Sequence, residues 1–401
     1  MAEFIGEHYI CFLVPLISGL IGYLTNVLSI KMTFYPLDFV GIKPFLGWQG
    51  IIPSKATAMA EKSVDLLTKD LFKPKEVFSK LDAQKVEKIS HEEFALMSAQ
   101  ITSAVIKTKI SGTWDIISGG FKNKIENLIA LVMPQAVENI MEDVKKNIDS
   151  ILNLKLLAVN TMKEDKSMIN HIFLDLGGRQ FRFIENSGFW LGLLFGLGQI
   201  FTTIYTTHWL MFVIYGVFIG FITNFLAIKL IFEPAEPKKI GPFRFWGLFL
   251  RNQKEESYRY AKIIAEEVLT SENLFDYIFR NQNNKITKGI IAKHLSAAVD
   301  KVLDKQHTLL KFLITNNMVS EFKSVLLFHL VNELPLHIKV VYPYIRKALD
   351  IENTIGEKMA NLPPKKFIAF LRPAFQEDEW KLITVGAVLG GVAGYLQSLL
   401  V

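Results

Sequence analysis

The sequence predicts an all-α integral membrane protein built by tandem duplication, with four transmembrane helices and two extramembrane helical domains. Half of its 401 residues are apolar, and the mean hydropathy of +0.27 is high for a soluble domain. Three long runs carry no charged residue, at 8–30, 187–228 and 382–401. The residues GYLTNVLSIKMTFYP at 22–36 return as GFITNFLAIKLIFEP at 220–234, an offset of 198, which indicates an internal repeat.

The lengths of the uncharged runs set the number of spans. A helix needs about 20 residues to cross the hydrocarbon core of a bilayer, so runs of 23, 42 and 20 residues hold one, two and one helices. The middle run breaks at Thr206, Thr207 and His208, which suit a tight hairpin at the membrane interface. The predicted spans are 8–31, 187–205, 208–232 and 382–401.

The repeat divides the chain into two halves. The first covers 1–200 with a helical domain at 54–180, and the second covers 201–401 with a helical domain at 254–375. Apolar residues recur at helical spacing in both domains, and no run of period two predicts a strand. Because the halves are parallel repeats, we expect them to pair around a pseudo-twofold axis along the membrane normal.

The distribution of lysine and arginine predicts the orientation. Cations flank the spans on one side only, which the positive-inside tendency assigns to the cytoplasm. We therefore expect a multi-pass protein of the bacterial inner membrane whose two large domains are cytoplasmic. The net charge of +6 fits anionic phospholipid as a neighbour and needs no nucleic acid to explain it. The flanking cations are Lys31, Lys43, Arg179, Arg182, Lys229, Lys238, Lys239, Arg372 and Lys381.

The duplicated Thr-Asn pairs, Thr25-Asn26 and Thr223-Asn224, lie about one turn inside the cytoplasmic ends of their spans. An amide in lipid must find hydrogen-bond partners, so each asparagine should face another helix or a watery cavity. One interpretation is a contact to a substrate or ion. The other, which we favour, is a hydrogen bond between helices, with a free energy of about 0.6 to 2 kcal/mol.

The closing span of each half ends in a glutamine, Gln199 or Gln397. Each glutamine follows a Gly-x-x-x-Gly-x-x-x-Gly stripe, a pattern that lets helix backbones approach closely. We therefore expect the glycines to serve packing. A symmetric arrangement would bring the glutamines and the two asparagines into two related sets.

Lys31 and Lys229 follow at the membrane edge, each before a segment rich in glycine, proline and aromatic residues that contains Trp48 or Trp246. Such composition opposes regular helix and predicts irregular loops against the membrane. The lysines either snorkel towards water or bind an anionic headgroup or a substrate phosphate beside the tryptophan.

Familiar catalytic motifs are missing from the sequence. His91-Glu92-Glu93 lacks the second histidine of a zinc protease motif, and neither a nucleophile elbow nor a phosphate-binding loop occurs. The single cysteine, Cys11, excludes an intrachain disulfide. The acidic run 377–379 borders a span and predicts a solvated face. We expect no enzymatic activity, no cofactor and no metal.

The motif G-x-x-T-N-x-L-[SA]-I-K-[ML]-x-F-x-P at a span's end resembles the YheB-like family of bacterial membrane proteins, domain of unknown function 445. The glycine-rich closing span is also similar to that family, and the resemblance covers almost the whole chain. It implies a membrane protein without implying an activity. The family's Gly-Ile-Ile-Pro segment stands at 50–53, whereas the second half departs from it at 247–251 by losing the proline.

Three functions remain open from the sequence. The first is a lipid-interacting or membrane-organising protein, because interfacial aromatics, basic residues and wide apolar stripes recur in both halves. The second is a transporter or channel-like protein that uses the Thr-Asn motifs, although four spans are few for one unless it forms a homo-oligomer. The third is a structural scaffold for partner proteins, which the sequence does not identify.

Overall fold

A computed structural model describes residues 2–42, 46–109, 119–205, 208–234, 236, 238–240, 242–280, 285–305, 316–371 and 379–399. The described residues are overwhelmingly helical, so the all-α prediction is confirmed at that level. Several predicted features lie outside the described residues. They include the hairpin residues Thr206 and Thr207, Lys43, Arg372 with the end of the second helical domain, and the last two residues of the final span.

The described chain forms two compact units, each taken from both halves of the sequence. The bundle unit is Met1–Leu71, Val159–Ile263 and Ile355–Val401, and the insert unit is Phe72–Ala158 and Ile264–Thr354. The compact units therefore cut across the predicted repeats 1–200 and 201–401, which stay a prediction.

The bundle unit is built on four long helices. Helix α1 (Ala2–Phe34) packs along α9 (Lys166–Tyr205), and α10 (Trp209–Phe232) packs along α19 (Glu379–Ser398). Helices α1 and α10 also contact each other. Its helices are α1 (Ala2–Phe34), α2 (Ile51–Ser54), α3 (Ala56–Leu66), α9 (Lys166–Tyr205), α10 (Trp209–Phe232), α11 (Leu248–Arg251), α12 (Gln253–Ile263), α17 (Ile351–Ala360, which begins in the insert unit), α18 (Pro364–Leu371) and α19 (Glu379–Ser398). A π-helical turn, Leu67–Leu71, follows α3.

Glycines let these helices touch backbone to backbone. A Cβ added to Gly22 would overlap the carbonyl oxygen of Gly188, and one added to Gly220 would overlap that of Gly386. No side chain fits at either crossing, so the glycine stripes in the sequence correspond to close helix contacts.

Two short hairpins follow α1 and α10. In the first, β1 (Val40–Ile42) pairs antiparallel with β2 (Leu46–Trp48). In the second, β3 (Lys238–Ile240) pairs antiparallel with β4 (Phe243–Phe245). Each hairpin comes after a cis X-Pro bond, at Tyr35-Pro36 or Glu233-Pro234. The hairpins lie in the segments predicted as interfacial loops, outside the helical domains 54–180 and 254–375, and their three-residue strands are too short to show a period of two.

The insert unit has a shared helical core. Helix α5 (Ala83–Lys109) packs on α6 (Gly119–Lys146) and α15 (Asn316–His337), while α14 (Lys285–Lys305) packs on α6 and α15. The two polar segments thus contribute two long helices each to one core. The shorter helices are α4 (Pro74–Phe78), α7 (Ile148–Ile151), α8 (Leu154–Glu164, which extends past the unit's end at Ala158), α13 (Ser271–Phe275) and α16 (Tyr342–Leu349), with π turns at Ile264–Val268 and Asp276–Arg280 and a 3-10 turn at Ile338–Val341.

Within the described residues, three stretches are long and apolar enough to cross a membrane: Leu13–Phe34, Trp209–Ile231 and Val319–Ala360. The first two coincide with the predicted spans 8–31 and 208–232. The third is no single helix, because a 3-10 turn follows α15 and Asp350 adopts a left-handed conformation with φ of 45°. The predicted spans in α9 and α19 are not among the three, so the count of four spans stays a prediction.

Candidate functional site

The two motif asparagines make the same hydrogen bond in each half of the bundle unit. Asn26 Nδ2 donates to the carbonyl oxygen of Ile184 at 2.7 Å, which ties α1 to α9. Asn224 Nδ2 donates to the carbonyl oxygen of Leu382 at 3.0 Å, which ties α10 to α19. Both asparagines are buried. The donors and the acceptors are each 198 residues apart, so the repeated sequence corresponds to a repeated contact.

Two longer hydrogen bonds join the halves at the same level. Thr223 Oγ1 donates to Asn26 Oδ1 at 3.5 Å, and Asn224 Nδ2 lies 3.5 Å from Ser29 Oγ. These distances are at the upper limit for hydrogen bonds, so we expect each to be weak. Thr25 points elsewhere, because its hydroxyl donates to Ile21 and Gly22 of its own helix at 2.9 and 3.1 Å. We call these buried polar residues, Thr25, Asn26 and Ser29 of α1 with Thr223 and Asn224 of α10, the motif cluster.

The glutamines lie away from the motif cluster and differ from each other. Ser18 Oγ donates to Gln199 Oε1 at 3.0 Å. Gln397 is buried, and its Nε2 has no hydrogen-bond partner among the described residues. The reason is visible in the sequence, since the residue 198 positions after Ser18 is Gly216, which has no hydroxyl. The structure therefore does not join the glutamines and asparagines into the expected sets.

The lysine and tryptophan pairs sit at the ends of α1 and α10. Lys31 and Lys229 are exposed, and Lys229 Nζ lies 5.6 Å from the centre of the Phe225 ring. Trp48 Nε1 donates to the carbonyl oxygen of Met32 at 3.0 Å, which fixes the first hairpin against the last turn of α1. Trp246 is half-buried. The indole N–H of Trp48 thus serves the fold and is not free to bind a headgroup.

A cavity of about 30 Å³ lies beside the motif cluster. This volume is enough for about one water molecule. Its lining comes from the core of the bundle unit: Ser29, Ile30, Thr33, Phe34, Gln180, Phe181, Ile184, Asn224, Ile228, Ile231, Phe249, Glu379 and Leu382.

Glu379 was missed by the sequence reasoning. The acidic run was expected to be solvated, but Glu379 is half-buried, its Oε1 is buried, and it lines the cavity. Glu377 and Asp378 lie outside the described residues. No pattern in the sequence indicated this burial, although the structure places Phe181, 198 residues before Glu379, in the same lining.

On the four long helices of the bundle unit, large apolar side chains cover the outer faces, and polar side chains are buried between the helices alongside apolar ones. Exposed large apolar residues follow the four long helices, whereas Ser18, Asn26, Ser29, Thr223 and Asn224 are buried. This arrangement is typical of helices packed in lipid. The exposed residues include Leu13, Leu16, Leu20, Leu24 and Leu28 of α1; Trp190, Leu194, Leu197 and Phe201 of α9; Ile214, Phe218, Phe221 and Phe225 of α10; and Val388, Val392, Tyr395 and Leu396 of α19.

No group of three or more histidine, cysteine, aspartate or glutamate side chains is placed to hold a metal ion within the part of the chain that the structure describes. The cavity and the motif cluster contain amides, hydroxyls and one carboxylate. These groups can accept and donate hydrogen bonds.

This architecture defines an integral membrane protein, and the comparisons with known proteins agree. The chain is 25% identical over 179 residues to a UPF0754 membrane protein of Bacillus thuringiensis (strain Al Hakam), covering 41% of this chain and 45% of the relative. It is 28% identical over 155 residues to a UPF0754 membrane protein of Bacillus cereus (strain ATCC 14579), covering 37% and 40%. A third, from Bacillus cereus (strain ATCC 10987), is 32% identical over 113 residues, covering 27% and 29%.

The matched segments span less than half of the length of these relatives. No family model and no solved structure matches the chain. The relatives' names describe membrane proteins and assign no activity. The protein is thus a bacterial membrane protein that is similar over part of its length to UPF0754 membrane proteins, and the narrower YheB-like assignment stays a prediction.

Proposed function

We propose that the protein is a multi-pass protein of the bacterial inner membrane that crosses the bilayer four times and interacts with phospholipid to organise the membrane. The observation that carries the proposal is the polarity of the four long helices of the bundle unit, with leucines exposed on α1 and amides buried between the helices. Such a surface is stable only where lipid covers it.

The proposal of four spans depends on the apolar outward faces of α9 and α19. Large apolar side chains are exposed on both helices, as they are on α1 and α10, which have the highest hydropathy. The exposed residues are Trp190, Leu194 and Phe201 on α9, and Val388 and Leu396 on α19. The third apolar stretch, Val319–Ala360, has a different cause. Its buried residues form the core of the insert unit, which accounts for its hydropathy without a membrane: Leu326, Leu330, Leu334, Ile338, Val341, Ile345 and Leu349.

The hairpins support contact with lipid headgroups. Val40 and Ile42 of the first hairpin are 64% and 73% exposed, directly after the end of α1. The second hairpin exposes Lys238 and Lys239 after the end of α10. Exposed apolar side chains insert into the boundary between headgroups and acyl chains, and lysines attract anionic headgroups. In the proposed orientation both hairpins face the cytoplasmic leaflet.

The geometry favours this function over transport. The asparagine amides donate to backbone carbonyls, and the glycine crossings leave no room for a channel between those helices. The cavity beside the motif cluster is about 30 Å³, far below a typical ligand pocket of 300 Å³ or more. A transporter formed by a homo-oligomer and a scaffold for proteins are the alternatives. We propose no enzymatic activity and no cofactor.

Native mass spectrometry of the full chain in mild detergent tests the proposal. We expect phospholipid to remain bound, with phosphatidylglycerol preferred to phosphatidylcholine. Lys238→Ala with Lys239→Ala should reduce that preference, whereas the matched pair Lys285→Ala with Lys301→Ala, exposed in the insert unit, should leave it unchanged. Lipid-free protein of undiminished stability would contradict the proposal. Substrate uptake into vesicles that depends on Asn26 and Asn224 would favour a transporter.

A further inference from the structure

A buried acid and a buried amide meet at the contact between α12 and α9. Glu256 of α12 is 0% exposed, and Gln180 of α9 is 2% exposed. Gln180 Nε2 donates to Glu256 Oε1 at 3.4 Å. Neither residue belongs to the motif cluster, and neither is in a predicted span.

If Glu256 is ionised, this pair of side chains has too few donor hydrogens to satisfy its buried acceptor oxygens. Glu256 Oε2 and Gln180 Oε1 are both buried, and neither has a hydrogen-bond partner among the described residues. Both atoms are acceptors, so neither can satisfy the other. A carboxylate held by one long hydrogen bond away from water is unfavourable, and such groups usually take up a proton instead.

The surrounding charges do not neutralise Glu256. Arg179 and Arg259 pair with the neighbouring Glu255, whose Oε1 lies 2.6 Å from Arg179 Nη2 and 3.6 Å from Arg259 Nη2. These three side chains are one-third to one-half exposed and form a charged layer outside the buried pair. Burial raises the pKa of Glu256 above its ordinary value of 4.5, while Gln180 and the two arginines lower it by less.

We propose that Glu256 and Gln180 form a proton-binding site. With one proton added, Glu256 Oε2–H donates to Gln180 Oε1 while Gln180 Nε2 donates to Glu256 Oε1, giving a cyclic acid–amide pair. A single proton therefore satisfies both buried acceptors and ties α12 to α9. Loss of that proton leaves both buried acceptors without a donor and weakens the helix contact, so the site makes this contact sensitive to pH.

The site joins the two halves of the sequence, and its residues are not repeated at the corresponding positions. The positions that correspond by the 198-residue offset are Asp378 for Gln180 and Ala58 for Glu256. An alanine has no carboxyl group, so the corresponding pair of positions lacks the acid of this site. The site is therefore not a by-product of the duplicated architecture.

Thermal unfolding of the full chain in detergent between pH 5 and pH 9 tests the site. Glu256→Gln keeps the shape and supplies the missing hydrogen at every pH. We expect the wild type to lose stability as pH rises above 4.5 and the variant to lose less, so that the gap between their Tm values widens with pH. Glu352→Gln, at an exposed position, is the matched control and should follow the wild type. Parallel curves for wild type and Glu256→Gln would overturn the proposal.

Infrared spectroscopy gives a readout that does not depend on the variant's stability. Just above pH 4.5 the wild type should show a carbonyl stretch of a protonated carboxylic acid that Glu256→Gln lacks, and this band should disappear as pH rises further. Glu256→Gln should lack that band, and Glu352→Gln should retain it. Identical carboxylic-acid bands in the wild type and Glu256→Gln at every pH above 4.5 would show that Glu256 is ionised there, and the proposal would be wrong.

Discussion

Replacing Asn26 tests the role of the motif cluster most sharply. Asn26→Ala removes the 2.7 Å bond to the carbonyl oxygen of Ile184 and the 3.5 Å bond from Thr223. A hydrogen bond between membrane helices contributes about 0.6 to 2 kcal/mol. The first bond is short and the second is at the distance limit, so we expect the free energy of unfolding to fall by about 1 to 2 kcal/mol.

The control for this prediction is the neighbouring residue, Thr25. Thr25 is also buried, but its hydroxyl donates only to carbonyls of its own helix in the hydrogen bonds described above. Thr25→Ala therefore breaks no bond between helices and should cost less than Asn26→Ala. Asn224→Ala should resemble Asn26→Ala, because its 3.0 Å bond to Leu382 is the same contact in the other half.

Reversible unfolding in mixed micelles measures these differences. The reasoning predicts that Asn26→Ala and Asn224→Ala lower stability by similar amounts and that Thr25→Ala has a smaller effect. Equal losses for Thr25→Ala and Asn26→Ala would refute it. Unchanged stability of Asn26→Ala together with lost cellular function would assign the amide to a substrate or ion instead of to packing.

Three further predictions concern other parts of the molecule. Gly220→Leu should prevent assembly of α10 with α19, seen as loss of a monodisperse peak in size-exclusion chromatography, whereas Gly198→Leu, with open space around it, should be tolerated. Lys31→Ala with Lys229→Ala should reduce retention of anionic lipid in native mass spectrometry, and unchanged retention would leave the lysines with a snorkelling role alone. Hydrogen bonds from His294 and Lys293 hold the pKa of Asp143 below its ordinary value of 3.8, so its stabilising contribution is present above pH 3.8 and is lost as pH falls through the lower folded-state pKa. Asp143→Asn should therefore lower the Tm at pH 7 and have less effect near pH 3, and a loss independent of pH would contradict this.

The repeated residues were the part of the site that sequence could predict. Because Asn26 and Asn224 recur in the same setting, the need of a buried amide for a partner in lipid predicted a contact between helices for both. The glycine crossings followed from the spacing of the stripes. Periodicity likewise predicted the helical character of the inserts, since each long helix has a buried apolar face.

Other features depend on contacts that no local pattern encodes. The strands of the hairpins are three residues long and are defined by backbone pairing. Gln180 and Glu256 meet across 76 residues, and their counterparts in the repeat are residues of different chemistry, Asp378 and Ala58. The shared core of the insert unit joins helices from both polar segments, a pairing that the separate stripes did not specify. Partner choice between helices depends on tertiary packing, which a single helix pattern does not determine.

The proposed four-span arrangement, with both inserts beneath the same leaflet, is tested most directly by reporter fusions in intact cells. A fluorescent protein that folds only in the cytoplasm should be bright when fused after residue 120 and after residue 300. A phosphatase that is active only outside the inner membrane should be active when inserted near residue 206, in the predicted connection between the second and third spans. Opposite locations for residues 120 and 300 would contradict the account.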